Sequence, residues 1–167
     1  MSSEGLNLPG AGVSSTPEER IAGLGLELPE VVPPLASYQP SVRSGVYVYT
    51  SGQLPIVKGE LLATGKVGQE ISTERAAALA EVCALNAIAA LKAQVGELSQ
   101  VARIVKVVGF VASGHDFYDQ PTVINGASDL LGKVFGEQGK HARSAVGVAV
   151  LPRNAPVEVE LIAELTE

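Results

Sequence analysis

Five polar residues at the boundaries of predicted elements are placed to do chemistry: Arg143, Glu158, Glu160, Asn125 and Tyr38. Arg143 opens a predicted strand whose following positions, SAVGVAV, are small or apolar. A guanidinium there is either a solvated rim charge or a fork aimed at a carboxylate, whose two oxygens its paired N–H groups match. Glu158 and Glu160 stand two apart on another predicted strand and share a face, with Val157, Val159 and Leu161 on the other. Their face is the exposed side of an edge strand, or one of the pair is an acid/base partner. Asn125, near the start of a predicted helix, and Tyr38, ahead of the first strand, divide in the same way between surface and site.

Other chemistries find little to stand on. Gly23-Leu24-Gly25 has no strand before it, and no glycine is followed by Lys-Ser/Thr at the spacing of a phosphate-cradling loop. A serine-hydrolase elbow, G-x-S-x-G, is absent. His115 and His141 lack partners at metal-ligand spacing and read as loop residues. The lone cysteine, Cys83, excludes an internal disulfide and, in an Ala-rich helical stretch, reads as a small core residue. The expectation is a site with no metal and no nucleotide cofactor.

The elements that must position these residues follow from periodicity. Residues 1–15 are Gly/Ser-rich with little to bury and read as a flexible arm. Thr16-Pro17-Glu18-Glu19 is a capping box with proline at the first helical position, opening a short helix through about Leu24. Leu28–Leu35, with three prolines, is an extended connector, so that 16–35 forms a unit ahead of a main domain at 36–167. Val46–Thr50 reads as a strand ending in Ser51-Gly52-Gln53. A second extended piece follows, turning at Gly59 and Gly65. Ser72 or Thr73 caps a long helix from about Glu74 to Val95, stopped by Gly96. Ala102–Ala112 is a strand, Pro121 to about Phe135 a helix, and Arg143–Leu151 and Val157–Glu164 are the closing strands.

Composition bounds the rest. A chain of 167 residues with 46 % apolar, 4 % aromatic and no Trp makes one aliphatic core. A net charge of −6, without a basic cluster, argues against binding a phosphate backbone, so a nucleic-acid partner is not expected. The N-terminus lacks the basic and apolar runs of a signal peptide and no stretch is expected to span a membrane, so the expected location is the cytoplasm. Two helices cover only one face of the sheet, yet Val105 and Val107 alternate with Ile104, Val108 and Phe110. The second apolar face calls for self-association.

An ordered set of strings then resembles a known family. They are Tyr38-Gln39-Pro40-Ser41-Val42, Val48–Pro55 (VYTSGQLP), Ala142–Val146 (ARSAV), Leu151-Pro152-Arg153 and Val157–Ala163 (VEVELIA). From about Tyr38 to Glu164 the chain resembles the RidA/YjgF family, also known as endoribonuclease L-PSP or translation inhibitor, and its Arg20–Leu35 portion is similar to a longer branch with an N-terminal extension. The resemblance implies an α+β, chorismate-mutase-like fold with a mixed β-sheet, two helices packed on one face, and a homotrimer with clefts between subunits. It implies hydrolysis of reactive 2-imino or enamine acids to 2-keto acids and ammonia. Arg143 would bind the substrate carboxylate and Glu158 would position or activate water. Tyr38, Asn125 and the backbone at Ser51-Gly52 would line the cleft. Ala145, Gly126 and Ser128 depart from the deaminase pattern and are expected to reshape the cleft wall. Two rival functions remain: a trimeric carboxylate-binding or interaction protein without turnover, and a ribonuclease, against which the charge counts.

Overall fold

The computed structural model describes residues 14–31 and 36–167. Residues 1–13 of the expected arm and 32–35 of the expected connector lie outside the described residues. The first helix, α1 (Pro17–Gly23), begins as its sequence dictates. Thr16 Oγ1 accepts from the Glu19 N–H at 3.1 Å, and Glu19 returns the bond to the Thr16 N–H at 2.8 Å. It is latched onto the body at three points. Ile21 is buried, Arg20 Nη1 donates to the Val134 carbonyl at 3.0 Å, and Glu18 takes both Lys92 Nζ and the Leu98 N–H at 2.8 Å.

The main sheet runs β1 (Ser41–Ser44), β2 (Tyr47–Thr50), β7 (Val157–Leu165), β5 (Val101–Ala112), β6 (Ala142–Val148) in spatial order. Only the β5–β6 pair is parallel; the other neighbours are antiparallel. A small hairpin, β3 (Ile56–Val57) and β4 (Glu60–Leu61), turns at Lys58-Gly59 with positive φ at both residues. Two differences from the sequence reading matter. Ser41–Ser44 is a strand, made so by a hairpin turn at Gly45 rather than by its own polar composition. Glu158 and Glu160 lie on β7, which is central in the sheet, whereas β6, which carries Arg143 as its second residue, is one of the two edge strands.

Helices α2 (Thr73–Val95) and α3 (Gln120–Phe135) pack against each other and against one face of this sheet. Ser72 caps α2 through its hydroxyl at 3.1 Å from the Arg75 N–H, and Gly96 ends it with φ 85°. By length and composition α2 is apolar enough to cross a membrane, contrary to the expectation that no stretch would be. Its alanines and leucines are spent elsewhere: Ala76, Leu79, Ala80, Ala84, Ile88 and Leu91 are fully buried in the core. Cys83 belongs there too, with no exposure and its thiol pushed up by burial and then by the charge of Glu158. Gly126 lets the two helices meet, since a Cβ there would run into the Ala77 carbonyl. It therefore serves the helix contact.

Alternation along β7 separates the two faces. Val157, Val159, Leu161, Ala163 and Leu165 are buried under the helices, whereas Glu158, Glu160, Ile162 and Glu164 face away. Tyr47 and Tyr49 of β2 share that outer face, beside Glu164 and Ile162, and both are exposed. Val108 and Phe110 of β5 are half-buried on it, opposite Glu160 and Glu158.

Candidate functional site

Arg143 pairs in register with the buried Val107, so its side chain turns to the helix-covered face at the open edge of β6. There it reaches α3. Its Nη1 donates to Asn125 Oδ1 at 2.8 Å and to Ser128 Oγ at 3.2 Å. Asn125 and Ser128 are three apart on the helix and so present side chains to one patch. Both bonds fall on Nη1. The remaining edge of the guanidinium, Nε and Nη2, has no partner among the described residues, and no carboxylate there pairs with Arg143. That edge is the fork geometry suited to a carboxylate.

Ser128 is held in turn by His141. The Ser128 Oγ to His141 Nε2 distance is 2.9 Å, and His141 Nδ1 lies 2.7 Å from the Gly139 carbonyl. His141 is a loop residue by position, as expected, but both ring nitrogens are engaged. Burial, reinforced by the charge of Arg143 and opposed by the Gly139 contact, moves its pKa below the usual histidine range. Sequence reasoning missed this pair. Two signals pointed to it: His141 and Arg143 are two apart at the start of one strand, and Asn125 and Ser128 are one turn apart on one helix face.

A second group forms on the other side of the sheet. Gln53 continues the β2 edge by exchanging backbone bonds with Val159, at 2.8 and 3.0 Å, which seats Gly52 over Glu158. A side chain at position 52 would collide with the Glu158 carboxylate. Glu158 is half-buried, and burial, followed by the charge of Glu160, raises its pKa above the ordinary value. Ser51 bonds through its hydroxyl to the Gln39 carbonyl at 2.5 Å and through its N–H to the Pro40 carbonyl at 2.8 Å. Tyr38, next to Gln39, is well exposed.

The expected site residues thus fall into two clusters. Arg143 and Asn125 meet, joined by Ser128 and His141. Glu158 meets Gly52, and Ser51 ties down the segment that carries Tyr38. Within one chain the two groups lie on opposite faces of the sheet. Two surface depressions of about 210 Å³ each, one beside Arg43 and Gln100 and one beside Tyr49 and Glu160, contain neither Arg143 nor Glu158. Among the described residues no group of three His, Cys, Asp or Glu side chains is arranged to hold a metal ion.

A mixed five-stranded sheet with two helices on one face agrees with a YjgF/chorismate-mutase-like domain. Residues 18–165 match the family described as "YjgF/chorismate mutase-like, putative endoribonuclease". The chain is 43 % identical over 143 residues to Protein TCP17 of Trypanosoma cruzi, covering 85 % of this chain and 89 % of that one. It is 34 % identical over 130 residues to a 2-iminobutanoate/2-iminopropanoate deaminase of Dermatophagoides farinae, covering 77 % and 86 %. The crystal structure of Atu1372 from Agrobacterium tumefaciens, a protein of unknown function, superposes with a TM-score of 0.85 at 46 % identity, covering 90 % and 92 %. The chain belongs to the RidA/YjgF family.

Proposed function

We propose that this protein hydrolyses 2-imino or enamine acids to 2-keto acids and ammonia, in a cleft that a second copy of the chain completes. The observation that carries the reading is the tethering of Arg143. One guanidinium nitrogen is fixed by Asn125 and Ser128, and the Nε/Nη2 fork is left for a ligand carboxylate. The name of the mite relative supports the choice of reaction.

The chemistry asks little more of the protein. An imine carbon is already electrophilic, so holding the carboxylate and placing a water suffices. Glu158, as the carboxylate, takes a proton from that water while its oxygen bonds to the imine carbon, and the C=N bond becomes C–N. The nitrogen takes one proton back from Glu158 and a second from the new hydroxyl, the C–N bond breaks as the carbon–oxygen bond becomes C=O, and ammonia leaves.

A homotrimer reconciles the two clusters. The outer sheet face, with Tyr47, Tyr49, Phe110 and Ile162, has no cover among the described residues, and Glu158 sits on it. A neighbouring copy laid on that face would bring its β6 edge, and with it Arg143 and Asn125, towards Glu158 and Gly52. A ribonuclease reading is opposed by the net charge of −6. The test is direct: generate an imino acid in place from an amino acid with an oxidase, and follow loss of the imine signal. Decay no faster than in buffer, alongside tight 2-keto acid binding, would favour a binding protein instead.

A further inference from the structure

The mechanism above uses Arg143 and Glu158 and leaves His141 and Ser128 unassigned. Their hydrogen bonds have only one consistent direction. The Gly139 carbonyl can only accept, so His141 carries its proton on Nδ1 and donates at 2.7 Å. In the neutral ring Nε2 is then bare and accepts the Ser128 hydroxyl proton at 2.9 Å. The lone pairs of Ser128 Oγ are thereby free for Arg143 Nη1, which donates to it at 3.2 Å. Donation therefore runs one way, from Arg143 to Ser128 to His141 to Gly139. Burial and the neighbouring guanidinium keep His141 in the neutral form that this order requires.

We infer that His141 is a positioning residue for Arg143: acting through Ser128, it fixes the rotation of the guanidinium so that the Nε/Nη2 edge faces the incoming carboxylate. The inference rests on the carboxylate-clamp reading of Arg143. A hydroxyl that rotates freely offers Nη1 either its lone pair or its proton, and only the first holds the guanidinium. His141 removes the choice by taking the proton. Asn125 by itself fixes one hydrogen of Nη1 and leaves the plane of the group to swing about that bond. With Ser128 as a second acceptor on the same nitrogen, the plane is set.

The experiment uses the full chain, with 2-ketobutyrate as the probe, and Ser128→Ala, His141→Phe, the double variant and His141→Gln. The glutamine keeps an acceptor near the position of Nε2; the phenylalanine keeps the ring and removes it. Each single loss should weaken 2-ketobutyrate binding about three- to tenfold, the scale of one charge-assisted contact placed badly. The double variant should be no weaker than either single one, because both act on one chain of bonds. His141→Gln should bind within about twofold of the parent. In parallel, nitrogen NMR without ligand reports the His141 tautomer and the rotation of the Arg143 guanidinium. The chain has two histidines, so the glutamine variant assigns the signal. The parent should show the Nδ1–H form and a restrained guanidinium, released in His141→Phe. Parental binding and an unchanged guanidinium in His141→Phe overturn the inference while leaving the clamp intact. Additive losses in the double variant overturn it as well. If the parent binds no 2-keto acid yet His141→Phe releases the guanidinium, the clamp reading fails and His141 still stands as the group that holds Arg143.

Discussion

Arg143 and Glu158 stand on opposite faces of one sheet. Arg143 lies beside the buried Val107 under α3, and Glu158 lies opposite Phe110 on the face that no helix among the described residues covers. No rotamer change brings them together in one chain, so a reaction that uses both must draw them from two copies.

That geometry predicts rescue between dead variants. Arg143→Ala and Glu158→Gln should each be inactive alone. Unfolding and reassembling them together at equal amounts should restore about a quarter of parental activity, because a quarter of randomly formed clefts take Arg143 from one variant and Glu158 from the other. A mixture as dead as its components would place both residues in the same subunit's site, or in none. Light scattering on the parent should report about three chains.

Arg143→Ala should weaken 2-keto acid binding and imine hydrolysis by roughly 30- to 1000-fold, the range of 2–4 kcal/mol for a charge-assisted fork in a partly dry site. Arg143→Lys should recover only part, since an ammonium keeps the charge and loses the paired donors. Binding of 2-ketobutyrate by calorimetry checks both.

Glu158→Gln should split the constants differently, with turnover falling about a hundredfold or more and 2-keto acid binding kept. The pH profile carries a sign. A base must be ionised, and the Glu158 pKa lies above the ordinary value, so hydrolysis should fall as pH drops through a point higher than a typical glutamate would give. What little activity remains in Glu158→Gln should lack that acid limb.

Glu18→Ala tests the α1 latch. It removes the closer partner of Lys92, leaving Glu97 at 3.8 Å, and leaves the Leu98 N–H without its acceptor, which should cost about 1–2 kcal/mol in denaturant unfolding. Burial pushes the Glu18 carboxyl up, but Lys92 and the Leu98 N–H outweigh it and hold the pKa low. This contribution is therefore present above the usual carboxylate range and lost as pH falls through the depressed value. The gap between parent and variant should close in acid.

Much of the fold was legible because period and punctuation agreed. The Thr16 capping box, the Ser72 cap with Gly96 as stop, and the period-two burial of β7 all appear as read. What escaped was set by pairing. Ser41–Ser44 has no strand composition of its own and becomes one only through the Gly45 turn. The centrality of β7 depends on β5 and β2 choosing it from distant parts of the chain. Within the site, residue type singled out Arg143 and Asn125, and the structure joins them. Ser128 enters the sequence reading only as a departure from the family pattern and His141 only as a loop residue, because a hydroxyl and a lone imidazole carry no signature of pairing until a helix and a strand edge bring them within 2.9 Å.

Gly52 has a consequence for anyone wishing to change what this protein accepts. Its missing side chain is the space that the Glu158 carboxylate occupies, so every substitution there trades a specificity change for a displaced carboxylate. Gly52→Ala should already cut turnover at least tenfold while leaving 2-keto acid binding near parental, a comparison that steady-state kinetics and a titration can make. One wall of the proposed cleft is therefore closed to redesign. The other, on α3, holds Arg143 through Asn125, which is exposed, and Ser128, which is half-buried. A library for bulkier or smaller substrates belongs at an exposed position one turn along that helix, such as Asp129, with Asn125, Ser128 and His141 kept.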